Sequence, residues 1–209
     1  RQMCIRDRFL LLDGKRIIGR VSAFVDQLGV DYWGAPIGLF GAYECIEDNR
    51  ASALLLDTAR EWLHVHNMQA MRGPWSFASQ EWGLVIEGFT PPPMILAPYN
   101  PSYYVEQMAA FGLQKVKDLL VYYIDFQEGY EIPKRYLDMT DKIQERYGVT
   151  IRAADIARLR EEVATIVEVI NVSIANNWGF YPVPEGEADV IARDLKQIID
   201  TKCVLIAED

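Results

Sequence analysis

The sequence predicts an α+β fold, with a mixed, largely antiparallel central sheet flanked by helices. Three observations support this class: two apolar segments joined by Asp13-Gly14, an amphipathic helical pattern after residue 48, and further alternation of strand and helix patterns. Half of the 209 residues are apolar, which is enough to bury a core. The elements are taken below in chain order.

The chain opens on a predicted β-hairpin. Residues 9–12 are an apolar strand, Asp13-Gly14 is a two-residue turn signal, and residues 17–26 alternate well enough for the partner strand. Residues 1–8, RQMCIRDR, resemble a translation artefact of assembled sequence. We interpret them as a non-native leader and exclude them from the fold prediction.

A third strand completes an antiparallel meander. Residues 27–33 are predicted to be a polar loop, and residues 37–46 the third strand. Gly38 and Gly41 inside that strand indicate a bulge or a close backbone approach.

A capped helix follows the meander. Asp48 or Asn49 is the expected cap, and Asn67 is the expected stop after about His66. Five apolar residues recur at helical spacing and are predicted to face the core: Ala51, Leu55, Ala59, Trp62 and Leu63.

Residues 68–112 are the stretch in which we expect a pocket. A short strand at residues 68–71 breaks at Arg72-Gly73-Pro74, and a long irregular segment leads to a short helix ending near Gly112. Long loops in compact domains are often functional, and open α/β sheets bind ligands at the carboxyl ends of strands. The alternative is an irregular lid packed over the sheet.

The rest of the chain predicts one more strand, a charged linker with an exposed helix, and then a strand–helix–helix–strand unit. In order, these elements are expected at residues 115–126, 134–146, 149–152, 154–175, 185–199 and 203–207.

Composition excludes several classes of function. Thirty acidic and 21 basic residues give a net charge of -9, which disfavours nucleic acid and anionic membrane surfaces as partners. No apolar run approaches the ~20 residues of a membrane-spanning helix. The three cysteines and two histidines lack ligand-like spacing, so we predict no metal site and no disulfide framework, and a cytoplasmic location.

Particular motifs resemble a known family. GKRIIGRVSAFVD and NRASALLLDTAREWL resemble the central hairpin and third helix of the GNAT acyl-CoA N-acyltransferase fold. The combination RGPWSF, PPPMILAPYNPSYY and NNWGFYP resembles the tandem-GNAT bacterial ceramide synthase-like (YghO-like) proteins.

The resemblance implies a three-layer GNAT-like fold and a fragment of a longer protein. Residues 9–126 would be a first module without its first strand and helices, residues 127–147 a linker helix, and residues 148–209 the start of an incomplete second copy.

The implied activity is transfer of an acyl group from acyl-CoA to an amine. A small-molecule or lipid-like amine is then the partner, and the family allows a long-chain amino alcohol. The alternative is a non-catalytic GNAT-like module for substrate binding or structure. It arises because the segment matching the family's glycine-rich CoA loop reads CIEDNRAS, without glycine. We therefore expect acyl-CoA to be bound mainly by the part of the second module that this chain lacks. Oligomeric state stays open.

Candidate site residues follow from the central stretch and from the matching loop of the second module. Tyr104 could protonate a leaving thiolate, and Glu81 could act as a general base. Arg72 could hold a carboxylate or phosphate, with a salt bridge to Glu81 as the alternative. The predicted substrate-binding residues are Arg72, Gly73, Trp75, Asn100, Tyr103, Asn177, Trp178 and Phe180.

Overall fold

The protein is an α+β chain with two compact units, the first ending at Asp118 and the second beginning at Leu119. The computed structural model describes residues 5–75, 82–90, 97–124, 129–196 and 199–208. Within these residues the first unit holds a mixed, largely antiparallel sheet, as the sequence predicts.

Four strands form the sheet of the first unit in the order β1-β2-β3-β4. They are β1 (Ile5–Asp13), β2 (Arg16–Val25), β3 (Ile37–Cys45) and β4 (Ala70–Arg72). The first three pair antiparallel, which confirms the meander, and β4 runs parallel to β3. Because β1 begins at Ile5, part of the segment excluded as a leader is paired into the sheet.

The predicted polar loop at residues 27–33 is wrong, because these residues form helix α1 (Gln27–Trp33). The Asp26 carboxylate accepts hydrogen bonds from the Leu28 and Gly29 amides, and Gly34 ends the helix with a left-handed φ of 63°. These two local signals were available in the sequence, but seven polar and apolar residues are too few to show helical periodicity.

Helix α2 (Asn49–Val65) begins and ends where predicted. The Asp48 side chain caps it, and Asn67 takes a left-handed φ of 63° just beyond it. Most of the predicted stripe is buried against the sheet, whereas Trp62 is only partly buried.

β3 carries the predicted bulge. Arg20 pairs with Glu44 and Ser22 with Gly41, so Val21 faces two residues of β3. Gly38 has a separate role, because a Cβ there would lie 2.4 Å from Leu63 Cδ2 of α2. The two glycines thus serve the two alternatives that the sequence left open.

Helix α3 (Tyr103–Phe111) closes the first unit and ends at Gly112, with a left-handed φ of 97°. The strand predicted at residues 115–126 is wrong over its described part, because residues 115–124 form no strand. Leu120, Val121 and Tyr122 are highly exposed there. The continuous apolar run at residues 119–124 favours a strand, but no described strand pairs with it to supply hydrogen bonds.

The second unit follows the predicted order of elements. They are α4 (Lys134–Tyr147), β5 (Thr150–Ala153), α5 (Leu159–Ser173), α6 (Ala188–Leu195) and β6 (Leu205–Glu208). α4 buries none of its side chains, as expected for an exposed linker helix. β5 and β6 pair antiparallel, and Leu159, Val163 and Val167 of α5 pack with Ala188 and Ala192 of α6.

Candidate functional site

An open cleft of about 860 Å³ lies in the first unit, beside the bulged end of β3. One wall is formed by residues 17–20 and 42–46, and the other by residues 83–84 and 97–104. About half of its lining residues are aliphatic, alanine or proline, and the others include four tyrosines, Asn100 and the exposed Arg20–Glu44 ion pair. The cleft therefore offers both apolar and polar surface to a ligand.

Two adjacent tyrosines of α3 hold the end of β3 beside the cleft. Tyr104 Oη accepts a hydrogen bond from the Cys45 amide at 3.0 Å, and Tyr103 Oη donates to the Cys45 carbonyl at 3.0 Å. Burial raises the pKa of the Tyr104 hydroxyl, so it keeps its proton at neutral pH. Burial also raises the pKa of the Cys45 thiol, which disfavours a thiolate nucleophile.

The Tyr104 proton is the chemically interesting feature of this pair. Because Tyr104 Oη is the acceptor for Cys45, its own O–H is left to donate. Among the residues that the structure describes, none accepts that proton. Tyr104 is 6% exposed and lines the cleft, so a ligand oxygen or sulfur there would meet a desolvated donor.

A second hydrogen-bonded group, which the sequence did not reveal, lies behind the tyrosines. Tyr43 Oη is 2.7 Å from Ser52 Oγ and 2.9 Å from Gln107 Oε1, while Gln107 Nε2 donates to the Ile46 carbonyl at 2.7 Å. Gln107 is 2% exposed. A glutamine one turn after Tyr103 and Tyr104 was the available signal, but a polar residue within a short helix ordinarily faces solvent.

Asn100 fastens the loop that forms the second wall. Its Oδ1 accepts from the Val85 amide at 2.7 Å, and its Nδ2 donates to the carbonyls of Val85 and Pro101. Both amide protons are therefore used inside the protein. Asn100 therefore shapes the cleft. For the predicted contact with substrate, it can offer only the remaining lone pair of Oδ1 as an acceptor.

The predicted residues Arg72 and Trp75 lie in an aromatic cluster with Trp33 and Trp82. The Arg72 guanidinium stacks on Trp33 at 4.8 Å, and the Trp75 ring lies 4.5 Å from that of Trp82. Burial lowers the pKa of Arg72. Glu81, the candidate base and the alternative partner of Arg72, lies outside the described residues.

Gly73 lets the chain approach β3 closely. A Cβ at this position would lie 2.3 Å from the Phe40 carbonyl oxygen, which accepts a hydrogen bond from the Trp75 amide at 2.8 Å. Gly73 thus has a structural reason to be glycine that involves no ligand.

The N-terminus of α2 is occupied by the protein's own carboxylate. Asp48 Oδ1 accepts from the Arg50 amide at 2.7 Å and the Ala51 amide at 3.1 Å. Hydrogen bonds from Ala51 and Arg50 lower the pKa of the Asp48 carboxyl, so it stays charged. A diphosphate at this helix end would have to displace a bonded anion.

The three remaining predicted residues lie in the second unit, between α5 and α6. Asn177 and Trp178 are exposed, and Phe180 is buried. The Phe180 amide donates to the Asn177 carbonyl at 3.1 Å, which closes the turn. Nearby, Asn171 bonds both backbone groups of Val183 and fastens this loop to α5.

The second unit also contains a buried carboxylate that sequence reasoning missed. Arg152 of β5 binds Glu162 of α5 through two bonds of 2.8 and 3.1 Å, and it binds Glu208 of β6 at 2.6 Å. Glu162 is 2% exposed, and hydrogen bonds from Arg152 hold the pKa of its carboxyl below the usual value. The two pairs join residues 10 and 56 positions apart on different elements, so no helix or strand spacing predicts them.

The Glu162 pairing predicts loss of stability in acid. A lowered pKa in the folded state means that the stabilisation is complete above the pKa of the unfolded carboxyl and is lost as pH falls through the folded value. We expect Glu162→Gln to lower the unfolding temperature of the full-length protein at pH 7 and to flatten its decline below about pH 4.5. Glu168→Gln, an exposed change on the same helix, should do neither; equal pH profiles for all three proteins would contradict this.

The fold and the site together define an α+β protein with an open cleft of mixed polar and apolar lining and a buried tyrosine hydroxyl. The chain is 33% identical over 205 residues to a protein named bacterial ceramide synthase from Caulobacter vibrioides (strain NA1000 / CB15N), covering 96% of this chain and 52% of that protein. It is 32% identical over 196 residues to protein YghO of Escherichia coli (strain K12), covering 92% and 49%.

These similarities support the YghO-like relationship indicated by the motifs, over nearly all of this chain. The chain spans about half the length of the curated relatives it matches. No family model and no solved structure matches it. No helix within the described residues has the length and apolar character needed to cross a membrane.

Proposed function

We propose that this chain is part of an N-acyltransferase that moves an acyl group from acyl-CoA to an amine, with a GNAT-type fold. The observation that carries the proposal is the partly apolar cleft with the Tyr104 proton at its wall. The name of the relative from Caulobacter vibrioides, bacterial ceramide synthase, supports a long-chain amino alcohol as the acceptor.

The reaction needs a hydrogen-bond donor where negative charge develops. The amine nitrogen attacks the thioester carbonyl carbon, and the carbonyl oxygen gains negative charge. The carbon–sulfur bond then breaks, and the proton that the nitrogen loses ends on the departing sulfur, which leaves as the thiol of CoA. A desolvated donor fixed in advance stabilises such charge. Because the pKa of Tyr104 is raised, complete proton transfer to sulfur is unfavourable, and donation of a hydrogen bond suits this hydroxyl better.

The aliphatic part of the cleft lining provides the other requirement, a place for a hydrocarbon chain. Ile17, Ile18 and Leu84 line the cleft together with alanine and proline residues of the 97–101 segment. Burying each methylene group contributes about 0.8 kcal/mol, so several carbons would dominate the binding free energy. We assign this cleft to the hydrocarbon part of the acceptor or of the acyl group.

A second candidate is favoured by one observation at α2. Since Asp48 occupies the amides of Arg50 and Ala51, we propose that the first unit holds no acyl-CoA diphosphate of its own. It then acts as a substrate-binding half, and acyl-CoA is held by other parts of the full-length protein. The two candidates are compatible in one enzyme.

Thermal-shift titration of the full-length protein tests the enzymatic proposal. We expect long-chain acyl-CoA and a long-chain amino alcohol each to raise the unfolding temperature, because ligands of the native state stabilise it. Mass spectrometry of the mixture should then detect the N-acylated amine. Absence of both a shift and a product would overturn the proposal.

The variant Asp48→Asn tests the second candidate, which holds that no acyl-CoA diphosphate binds at α2. Asparagine still caps the helix but removes the charge, so it would favour a diphosphate at α2. If the first unit binds no diphosphate, acyl-CoA affinity stays unchanged. Tighter acyl-CoA binding by the variant would contradict this and place the cosubstrate at α2.

A further inference from the structure

We infer that Gln107 is a positioning residue that, through Tyr43, fixes the Tyr104 hydroxyl at the cleft wall. This inference rests on the proposed function for its catalytic consequence, whereas its structural consequence can be measured independently. Gln107 does not line the cleft and makes no hydrogen bond to Tyr104, so it acts through its neighbours.

The donors in this group can be assigned from the chemistry. Gln107 Nε2 faces two carbonyl oxygens, Ile46 at 2.7 Å and Asp48 at 3.4 Å, so the amide nitrogen donates there. Its Oε1 can then only accept, which makes Tyr43 the donor at 2.9 Å. A phenol has one proton, so Ser52 Oγ must donate to Tyr43 Oη across the 2.7 Å contact.

The fixed Tyr43 ring in turn fixes Tyr104. The two rings meet edge to face with centroids 4.9 Å apart, and Tyr103 meets the other side of Tyr104 at 5.2 Å. Tyr43 is 4% exposed and Tyr104 is 6% exposed, so both rings are closely packed by neighbouring side chains. The position of the Tyr104 hydroxyl therefore depends on where Gln107 holds Tyr43.

Gln107 also holds the backbone that Tyr104 contacts. Its bond to the Ile46 carbonyl lies one residue beyond Cys45, whose amide donates to Tyr104. The Tyr43 ring that packs against Tyr104 and the Cys45 amide that donates to its hydroxyl thus both depend on the Gln107 side chain.

The first arm of the test measures the reactivity of Cys45, which is 5% exposed and lies between these contacts. We expect Gln107→Leu in the full-length protein to raise the alkylation of Cys45 by iodoacetamide about 10-fold, because unsatisfied buried groups promote local opening. Ser52→Ala, a milder change, should give a smaller rise. Alkylation of the exposed Cys203, read in the same peptide map, should stay constant.

The second arm asks whether Gln107 acts through Tyr104. Gln107→Leu should lower kcat about 10- to 100-fold with little change in KM, since small misplacements of catalytic groups have effects of that order. In a Tyr104→Phe background the same change should have almost no further effect, because coupled residues are not additive. Gln114→Leu, an exposed change just beyond α3, is the matched control and should alter neither readout.

The outcomes are distinguishable. Unchanged Cys45 alkylation in both Gln107→Leu and Ser52→Ala would overturn the positioning role, whatever the activity. An equal loss of kcat in the wild-type and Tyr104→Phe backgrounds would also overturn it, since the effect would then not pass through Tyr104. If the wild-type protein has no acyl transfer at all, the proposed function fails while the alkylation arm still decides the inference.

Discussion

Replacing Tyr104 with phenylalanine is expected to lower acyl transfer by the full-length protein about 10²- to 10³-fold, the cost of removing one preorganised donor. The change removes only an oxygen and its proton and keeps the ring that packs against Tyr43. It also leaves the Cys45 amide without its acceptor, so some loss of stability accompanies it. Steady-state kinetics should show the loss in kcat rather than in KM.

Tyr103→Phe is the matched comparison for this prediction. Tyr103 is adjacent in sequence, and its hydroxyl is used by the Cys45 carbonyl. The Tyr103→Phe change therefore removes a hydrogen bond to Cys45 but keeps the Tyr104 O–H that is left to donate. We expect it to lower acyl transfer less than about tenfold. Tyr123→Phe, on an exposed side chain, should be neutral. Equal losses in the Tyr103 and Tyr104 variants would contradict a special role for Tyr104.

Phe40→Ala is expected to lower the free energy of unfolding by about 3–5 kcal/mol, the range for removing a buried phenylalanine ring. Phe40 is fully buried in β3, and its ring lies against Gly73, where an added Cβ would be 2.6 Å from Cδ1. The cavity would open beside the chain that leads into the cleft wall. Denaturant unfolding followed by tryptophan fluorescence measures the loss.

Leu120→Ala is the control for the core prediction. Leu120 is 76% exposed, so its removal should change the free energy of unfolding by no more than about 0.5 kcal/mol. A loss at Phe40 of similar size to that at Leu120 would contradict the assigned core.

Local signals explain why much of the fold could be predicted. The Asp13-Gly14 signal indicates a hairpin whose two turn residues are Gly14 and Lys15, and Asp48 caps α2; both signals act on neighbouring residues, and the structure contains both features. The strand expected at residues 115–126 failed over its described part because a strand needs a partner, which its own apolar run cannot supply.

The site was only partly predictable for a related reason. The stretch containing Asn100, Tyr103 and Tyr104 could be found from its aromatic and irregular composition, and these residues do line the cleft. Gln107 and Ser52 could not, because their partners lie on other elements and their side chains are ordinarily exposed. Asn177, Trp178 and Phe180 remain predicted substrate contacts of the second unit.

Photo-crosslinking of the full-length protein with a long-chain amino alcohol that carries a diazirine in its hydrocarbon chain tests the central claim most directly. Peptide mapping should find the label on residues 17–20, 83–84 or 97–104 of the cleft walls. Unlabelled amino alcohol should compete it away. Label found reproducibly and competably outside the first unit, with none on these walls, would contradict the assignment of the cleft to the substrate.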